Sequence, residues 1–341
     1  MSMNRSKGHL SYDFEHDVYL SAKRYITKLG YIPLEHCDTT QLLSQMFNIL
    51  RNYITPKPRK VHIAKGLKFP REYLTGINHV IDEITNGVNL MPRCSRKQLN
   101  QRGHIDGMLL DCGIHHLHIG TKKVNNGKNK GLIEGGKYIL FCCFHDDDAY
   151  LIGLYDHKSW TKASVIEVIA NNWDFILEPY YLRGVVGLSR EVNDSDRLLL
   201  RNSQINTPIK VGNKFYFGPG GGMTCSGYGA NEVGNALEIM RAMDNLSDWV
   251  SDNTEYLEGK IRNHVNKEIE IELHFDMLKY ITSKTIVLYD KNHGLSIYIP
   301  SSDEPASFLD REKSLLLVSN ERDLEYIHPL ALKGNVYIET V

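Results

Sequence analysis

The sequence predicts an α+β fold in two parts: helices packed on an antiparallel meander, then a second α+β domain containing a long helix. Three observations carry this. Apolar residues recur at helical spacing through most of the first hundred residues. After Gly113 the helical spacing gives way to short strand-like segments that run, with turns between them, to Tyr155. Strands and helices are grouped, so the βαβ rhythm of a doubly wound sheet is missing. The 341 residues are 42% hydrophobic and 24% charged, which excludes a disordered or fibrous chain and suffices for two cores.

Tyr12–Leu29 and Thr39–Ile54 read as the first helices, with Gly30 and Tyr31-Ile-Pro as the turn between them. In the second, Leu42, Leu43, Met46, Ile49, Leu50 and Tyr53 form one stripe behind an Asp38 or Thr39 cap. A short strand at Val61–Ala64 precedes a helix opened by Pro70, with Tyr73, Ile77, Val80, Ile81 and Ile84 inward. A fourth helix covers His104–Cys112 and stops at Gly113. Ile114–Ile119, Tyr138–Phe144 and Ala149–Tyr155 then read as strands, the last two joined by the acidic turn His145-Asp-Asp-Asp148. Ala163–Asn171 returns to helix.

The second part opens near Tyr180, so the expected domains are 1–178, with its sheet at 114–157, and 179–341. Asp194–Ser203 is a capped helix, and Ile209–Val211 with Lys214–Phe217 form a hairpin around Gly212-Asn213. A long helix is expected at about 231–264, with Val233, Leu237, Met240, Met243, Leu246, Trp249 and Val250 inward. Strands follow at Ile269–Phe275, Thr285–Tyr289 and Leu295–Ile299.

No apolar h-region follows the charged start, and the longest apolar run, Tyr138–Phe144, is far short of the roughly 20 residues of a membrane helix. No membrane partner is expected. Six cysteines without a CxxC pair read as buried thiols of a reducing compartment, hence a cytoplasmic protein.

The net charge of −1 hides an asymmetry. Between Arg51 and Lys137 there are 16 Lys/Arg against 6 Asp/Glu, while the remainder carries 24 against 35. A basic region of this kind suits a polyanion. Arg59 and Lys60, with Lys122, Lys123, Lys128 and Lys130 in the Gly/Asn-rich loop Thr121–Gly136, are the candidate phosphate contacts. RNA or another nucleic acid is the expected partner. The acidic C-terminal half suits regulation, a protein partner or homo-oligomer assembly.

Six of the fifteen histidines fall between 104 and 157, far above an even spread. On a strand, His116 and His118 share a face about 6–7 Å apart, and His115 turns to the other with Leu117. Imidazoles titrate near neutral pH, so one can take a proton from a ribose 2′-hydroxyl while another protonates the leaving oxygen. His116 and His118 are the candidate acid–base pair, with His115, His157 and Asp111 orienting them and Lys122 and Lys123 on phosphate. This chemistry needs no cofactor. An alternative is a divalent metal such as zinc or manganese held by His116, His118, Asp111 and Asp156, as in a metal-dependent hydrolase or nuclease. A third reading makes the histidines structural and the protein a non-enzymatic binding or assembly module.

The order of helices, His116-Leu-His-Ile-Gly120, a basic loop, Tyr138-Ile-Leu-Phe, a hairpin and Leu151-Ile-Gly-Leu-Tyr-Asp-His157 is similar to the small ribonuclease toxins of the RelE/YoeB superfamily. The resemblance covers residues 70–160, and Lys137 stands where an arginine is usual. It implies a helix-covered antiparallel sheet carrying basic and acid–base residues, and an endoribonuclease of toxin or phage-defence type. The block Asp111–Gly120, with Asn171-Asn-Trp173, also resembles uncharacterised bacterial and mobile-element proteins.

Gly218-Pro-Gly-Gly-Gly222, leading through Ser226-Gly-Tyr-Gly229 into a helix, lacks the GK[ST] of a phosphate loop and reads first as a flexible loop.

Overall fold

The computed structural model describes residues 5–7, 10–99, 103–157, 159–265, 270–283, 286–299 and 337–340. In chain order the elements are β1 (Arg5–Lys7), β2 (Leu10–Tyr12), α1 (Phe14–Lys28), α2 (Thr39–Asn52), β3 (Lys60–Ile63), α3 (Leu74–Thr85), α4 (Gly107–Cys112), β4 (His115–His118), β5 (Tyr138–His145), β6 (Asp148–Asp156) and α5 (Ala163–Asn172). They continue with α6 (Asp194–Asn202), β7 (Ile209–Val211), β8 (Lys214–Tyr216), α7 (Ala230–Asp252), α8 (Thr254–Val265), β9 (Ile271–Phe275), α9 (Met277–Ser283), β10 (Ile286–Asp290), β11 (Leu295–Ile299) and β12 (Tyr337–Thr340). The fold is α+β, as the sequence predicts.

The chain divides into a unit of residues 48–231 and a unit formed by residues 1–47 with 232–341. This differs from a boundary at residue 178. The reason is a non-local pairing: β2 lies parallel to β9, Leu10 opposite Ile271, so the N-terminus belongs to the C-terminal sheet.

In the 48–231 unit the sheet order is β3-β6-β5-β4. The expected meander β4-β5-β6 is antiparallel, and β3 adds a parallel edge beside β6. Both faces are covered, which explains why Tyr138–His145 reads as a nearly unbroken apolar run. On one face Ile139, Phe141, Cys143 and Ile152 pack with Val165, Ile166 and Ile169 of α5. On the other, Leu117, Leu140, Cys142 and Leu151 meet Ile77, Val80 and Ile84 of α3. Gly76 lets α3 approach β4's end, since a Cβ there would sit 1.7 Å from the Ile119 carbonyl oxygen.

The second unit holds a six-stranded sheet, β1-β2-β9-β10-β11-β12, antiparallel except at β2–β9. The expected long helix is two, α7 and α8, separated at Asn253, whose side-chain amide donates to the Trp249 carbonyl. Its buried stripe is Glu232, Asn235, Ala236, Ile239, Ala242, Met243, Leu246 and Val250; Leu237, expected inward, is half exposed. Ile269 and Thr285, expected as strand starts, lie outside the described residues. No helix among the described residues is long and apolar enough to cross a membrane.

Candidate functional site: a histidine-lined cleft

Chain direction changes sharply between α4 and β4, and this turn builds the site. Asp106 begins α4: its Oδ1 accepts the Met108 and Leu109 N–H groups at 3.0 and 3.2 Å, satisfying two of the helix's orphan donors. Gly113 ends the helix at φ 66°, a left-handed conformation that favours glycine. The chain re-enters as β4, the edge strand, in register with β5: His116 opposite Phe141 and His118 opposite Ile139. His116 and His118 therefore share the face that carries Phe141 and Ile139, and His115 lies on the other. The parity read from the sequence holds.

The other oxygen of Asp106, Oδ2, lies 3.2 Å from Nδ1 of His116. One carboxylate thus caps the helix and fixes an imidazole, leaving the His116 Nε2 for a ligand. Burial by itself would raise the Asp106 carboxyl. The hydrogen bond and charge of His116, the Leu109 N–H bond and nearby His104 outweigh it and hold the carboxyl at about 2.

His104, Asp106, His116 and His157 line one cleft of about 510 Å³ with Lys97, Arg201, Asn202 and Gln204. Ile105, Met108, Ile139, Phe141 and Met223 supply its apolar wall. His104 is seated through its backbone, where the Asn48 and Asn52 side-chain amides of α2 donate to its carbonyl at 3.2 and 2.9 Å. Burial lowers its pKa, partly offset by Asp106. His157, exposed at the end of β6, places Nε2 3.1 Å from the Gly136 carbonyl.

His118 sits beside His157, ring centroids 5.8 Å apart. Burial, then the neighbouring His116 and His157, push its pKa down to about 4, so it is neutral at pH 7. Its Nδ1 is buried and has no hydrogen-bond partner among the described residues. A neutral, half-buried imidazole is a poor proton donor. The cleft is lined by His104, His116 and His157 and not by His118, and of these His157 is the exposed imidazole that joins His116 there, which corrects the pairing of His116 with His118.

Three further expectations are corrected. His115, expected to orient its neighbours, turns away and meets Phe144 edge-on at 5.5 Å; burial pushes its pKa down to about 3. Asp111, expected beside the histidines, is buried in an ion pair with Arg201, whose guanidinium also reaches the Cys112 sulfur at 3.2 Å. Asp106 takes the orienting role instead. Arg59, expected on phosphate, is a buried structural cation: it donates to the Asp146 and Thr55 carbonyls at 3.1 and 2.9 Å and lies over the Phe144 ring.

The metal set His116, His118, Asp111 and Asp156 is not assembled. Asp111 is engaged by Arg201, and Asp156 Oδ1 accepts the Ser159 hydroxyl at 2.8 Å. Among the described residues no three His, Cys, Asp or Glu side chains converge to hold a metal ion.

Lys60 is exposed on β3, the opposite sheet edge from β4 and three strand spacings, about 14 Å, away. Lys122, Lys123, Lys128 and Lys130 are exposed on a loop closed by Val124 N–H to Leu132 O and Glu134 N–H to Lys122 O. None of these lysines lines the cleft; Lys97 does.

The glycine-rich loop proves to be a buttress. Gly220 and Gly222 N–H groups donate to the Asp111 and Leu110 carbonyls at 3.0 and 2.9 Å, and Arg51 bridges the Leu109 and Gly220 carbonyls at 3.1 and 2.7 Å. The last turn of α4 is thereby satisfied, and those amides are spent on protein rather than on an anion. A second brace lies beyond β4, where Arg93, paired with Glu83, donates to the His118 and Gly120 carbonyls at 3.0 and 3.2 Å.

Sequence reasoning missed Asp106, His104 and Lys97. The signal for Asp106 was present: an Asp immediately before Gly-Met-Leu-Leu is a helix N-cap in the same block as the histidines. Comparison with models of known families, with curated proteins and with solved structures gives no match to this chain.

Proposed function

We propose that the 48–231 unit binds nucleic acid and cleaves RNA by metal-independent acid–base chemistry in this cleft. One observation carries the reading: an imidazole fixed by a buried carboxylate, His116 on Asp106, shares a cleft of ligand size with a second, solvent-facing imidazole, His157. His116 Nε2 takes the proton of a ribose 2′-hydroxyl, and Asp106 stabilises the imidazolium that forms. The 2′-oxygen attacks phosphorus, and the 5′-oxygen leaves with a proton from His157. The products are a 2′,3′-cyclic phosphate and a 5′-hydroxyl. Lys97 at the cleft offsets the charge that gathers on phosphate, and the apolar wall receives a base. The lysines of the 121–134 loop then serve flanking phosphates.

The test is cleavage of a mixed-sequence RNA in EDTA. His116→Ala and His157→Ala should each lower the rate by about 10²–10⁴, the usual worth of one acid or base. Undiminished cleavage by the double variant, or cleavage that stops in EDTA, overturns the proposal.

A further inference from the structure

The second unit, acidic on average, carries a larger cavity with a basic rim. It measures about 1180 Å³ and is lined by residues of α1, β9, α9, β10 and β11 together with the Asp290–Gly294 turn. Four obligate cations border it: Arg24 and Lys28 on α1, Lys279 on α9 and Lys291 in the turn.

Three carboxylates, Asp17, Glu272 and Asp276, also line it, each beside a polar neighbour on its own side of the cavity. Asp17 pairs with Nδ1 of His274 at 2.9 Å and accepts the Phe275 N–H at 2.8 Å. Asp276 accepts the Lys279 backbone N–H at the start of α9. Glu272 lies 3.5 Å from Nε2 of His274. Among the described residues, Arg24, Lys28 and Lys291 are exposed and pair with no carboxylate.

The spacing is a sequence feature with a geometric outcome. His16, Leu20, Arg24 and Lys28 recur every four residues, so α1 presents one stripe along the cavity. Lys28 closes the helix at its negative end, and Arg24 lies one turn earlier. Opposite them, His274, Tyr289 and Ser296 fall on one face of the sheet, because His274 is in register with Tyr289 and Tyr289 with Ser296. Tyr289 is 37% exposed, so its ring is open to a planar group. Unneutralised cations around a cavity, with an aromatic ring in its lining, are what an oligophosphate needs.

We propose that this cavity is a binding site for a small oligophosphate, such as a nucleoside triphosphate, separate from the histidine cleft. It turns the second unit from an acidic appendage into a ligand-sensing module. The inference does not rest on RNA cleavage by the other unit.

The test is calorimetric titration of the full chain with two probes, ATP and inorganic tripolyphosphate, at low and high salt. Saturable binding that weakens as salt rises is expected. Arg24→Gln/Lys28→Gln/Lys291→Gln should weaken it by about tenfold or more, with an unchanged melting temperature because all three side chains are exposed. His116→Ala should bind as the parent does. The two probes separate the sources. ATP binding more tightly than tripolyphosphate, and losing that margin in Tyr289→Ala, assigns a nucleotide. Equal affinities assign the phosphate chain alone. Either result upholds the site. Failure of both probes to bind, binding untouched by the triple substitution, or binding lost in His116→Ala overturns it.

Discussion

Replacing Asp106 by asparagine separates the two tasks of that residue. Asparagine caps a helix about as well as aspartate, so the bonds to Met108 and Leu109 N–H survive, while the charge beside His116 is removed. The magnitude follows from the carboxyl's own titration. Folding lowers it from 3.8 to about 2, nearly two units, and each unit is worth about 1.4 kcal/mol. Asp106→Asn should therefore cost about 2 kcal/mol at pH 7, and Asp106→Ala about 1 kcal/mol more through the lost cap. The sign sets the pH window. A lowered carboxyl stabilises the fold above its unfolded pKa and loses that contribution as pH falls from about 4 toward 2. The penalty in Asp106→Asn should accordingly shrink across that window. The assay is urea unfolding of parent, Asn and Ala forms at pH 7, 4 and 3. An asparagine form as stable as the parent at pH 7, or a penalty that does not vary with pH, refutes the assignment of Asp106 to His116.

Other perturbations give equally definite outcomes. His115 and His118 have folded pKa values near 3 and 4, below the ordinary 6.5, so their contribution is complete above pH 6.5 and drains away as pH falls toward 4. Discounting the partly open His118 for solvent screening, denaturation should show a loss on the order of 3 kcal/mol over that range; a flat profile contradicts it. Gly220→Ala would place a Cβ 2.2 Å from the Leu110 carbonyl oxygen and should destabilise by about 2–3 kcal/mol. Gly259→Ala, with nothing within 4 Å inside α8, should be neutral or stabilise by up to about 1 kcal/mol. Thermal melts of the two variants check this pair. Arg201→Met leaves the Asp111 carboxylate buried without its cation and should cost about 3–5 kcal/mol, whereas adding Asp111→Leu should recover much of it.

The elements that were legible are those whose signal is local. The stripe of α2 and the hairpin around Gly212-Asn213 follow from spacing and turn chemistry, and both are where the sequence puts them. The cap of α6, expected at Asn193 or Asp194, is Asn193, whose side chain accepts the Asp196 N–H. Leu10–Tyr12 was illegible as a strand because three residues carry no period. Its pairing with β9, some 260 residues away, leaves no trace in either segment. At the site, alternation told which histidines share a face, since a strand's parity is fixed. It could not tell which of two aspartates, five residues apart, would meet them. That choice depends on where α4 turns into β4 and on Arg201, a distant residue that claims Asp111 for itself. Arg59 looked like a phosphate contact because it lies in a basic run, yet its guanidinium finds three backbone carbonyls instead.

The proposed reaction is acid–base cleavage in the cleft through the ribose 2′-hydroxyl. Mass analysis of the ends left on a short RNA incubated with the protein in EDTA tests it most directly. A matched strand with a single 2′-deoxy nucleotide at the cut position serves beside it. Acid–base cleavage gives 2′,3′-cyclic phosphate and 5′-hydroxyl ends, an uncut deoxy linkage, and loss of both products in His116→Ala/His157→Ala. Ends bearing a 5′-phosphate, cutting at the deoxy position, or an intact RNA under all conditions would contradict it.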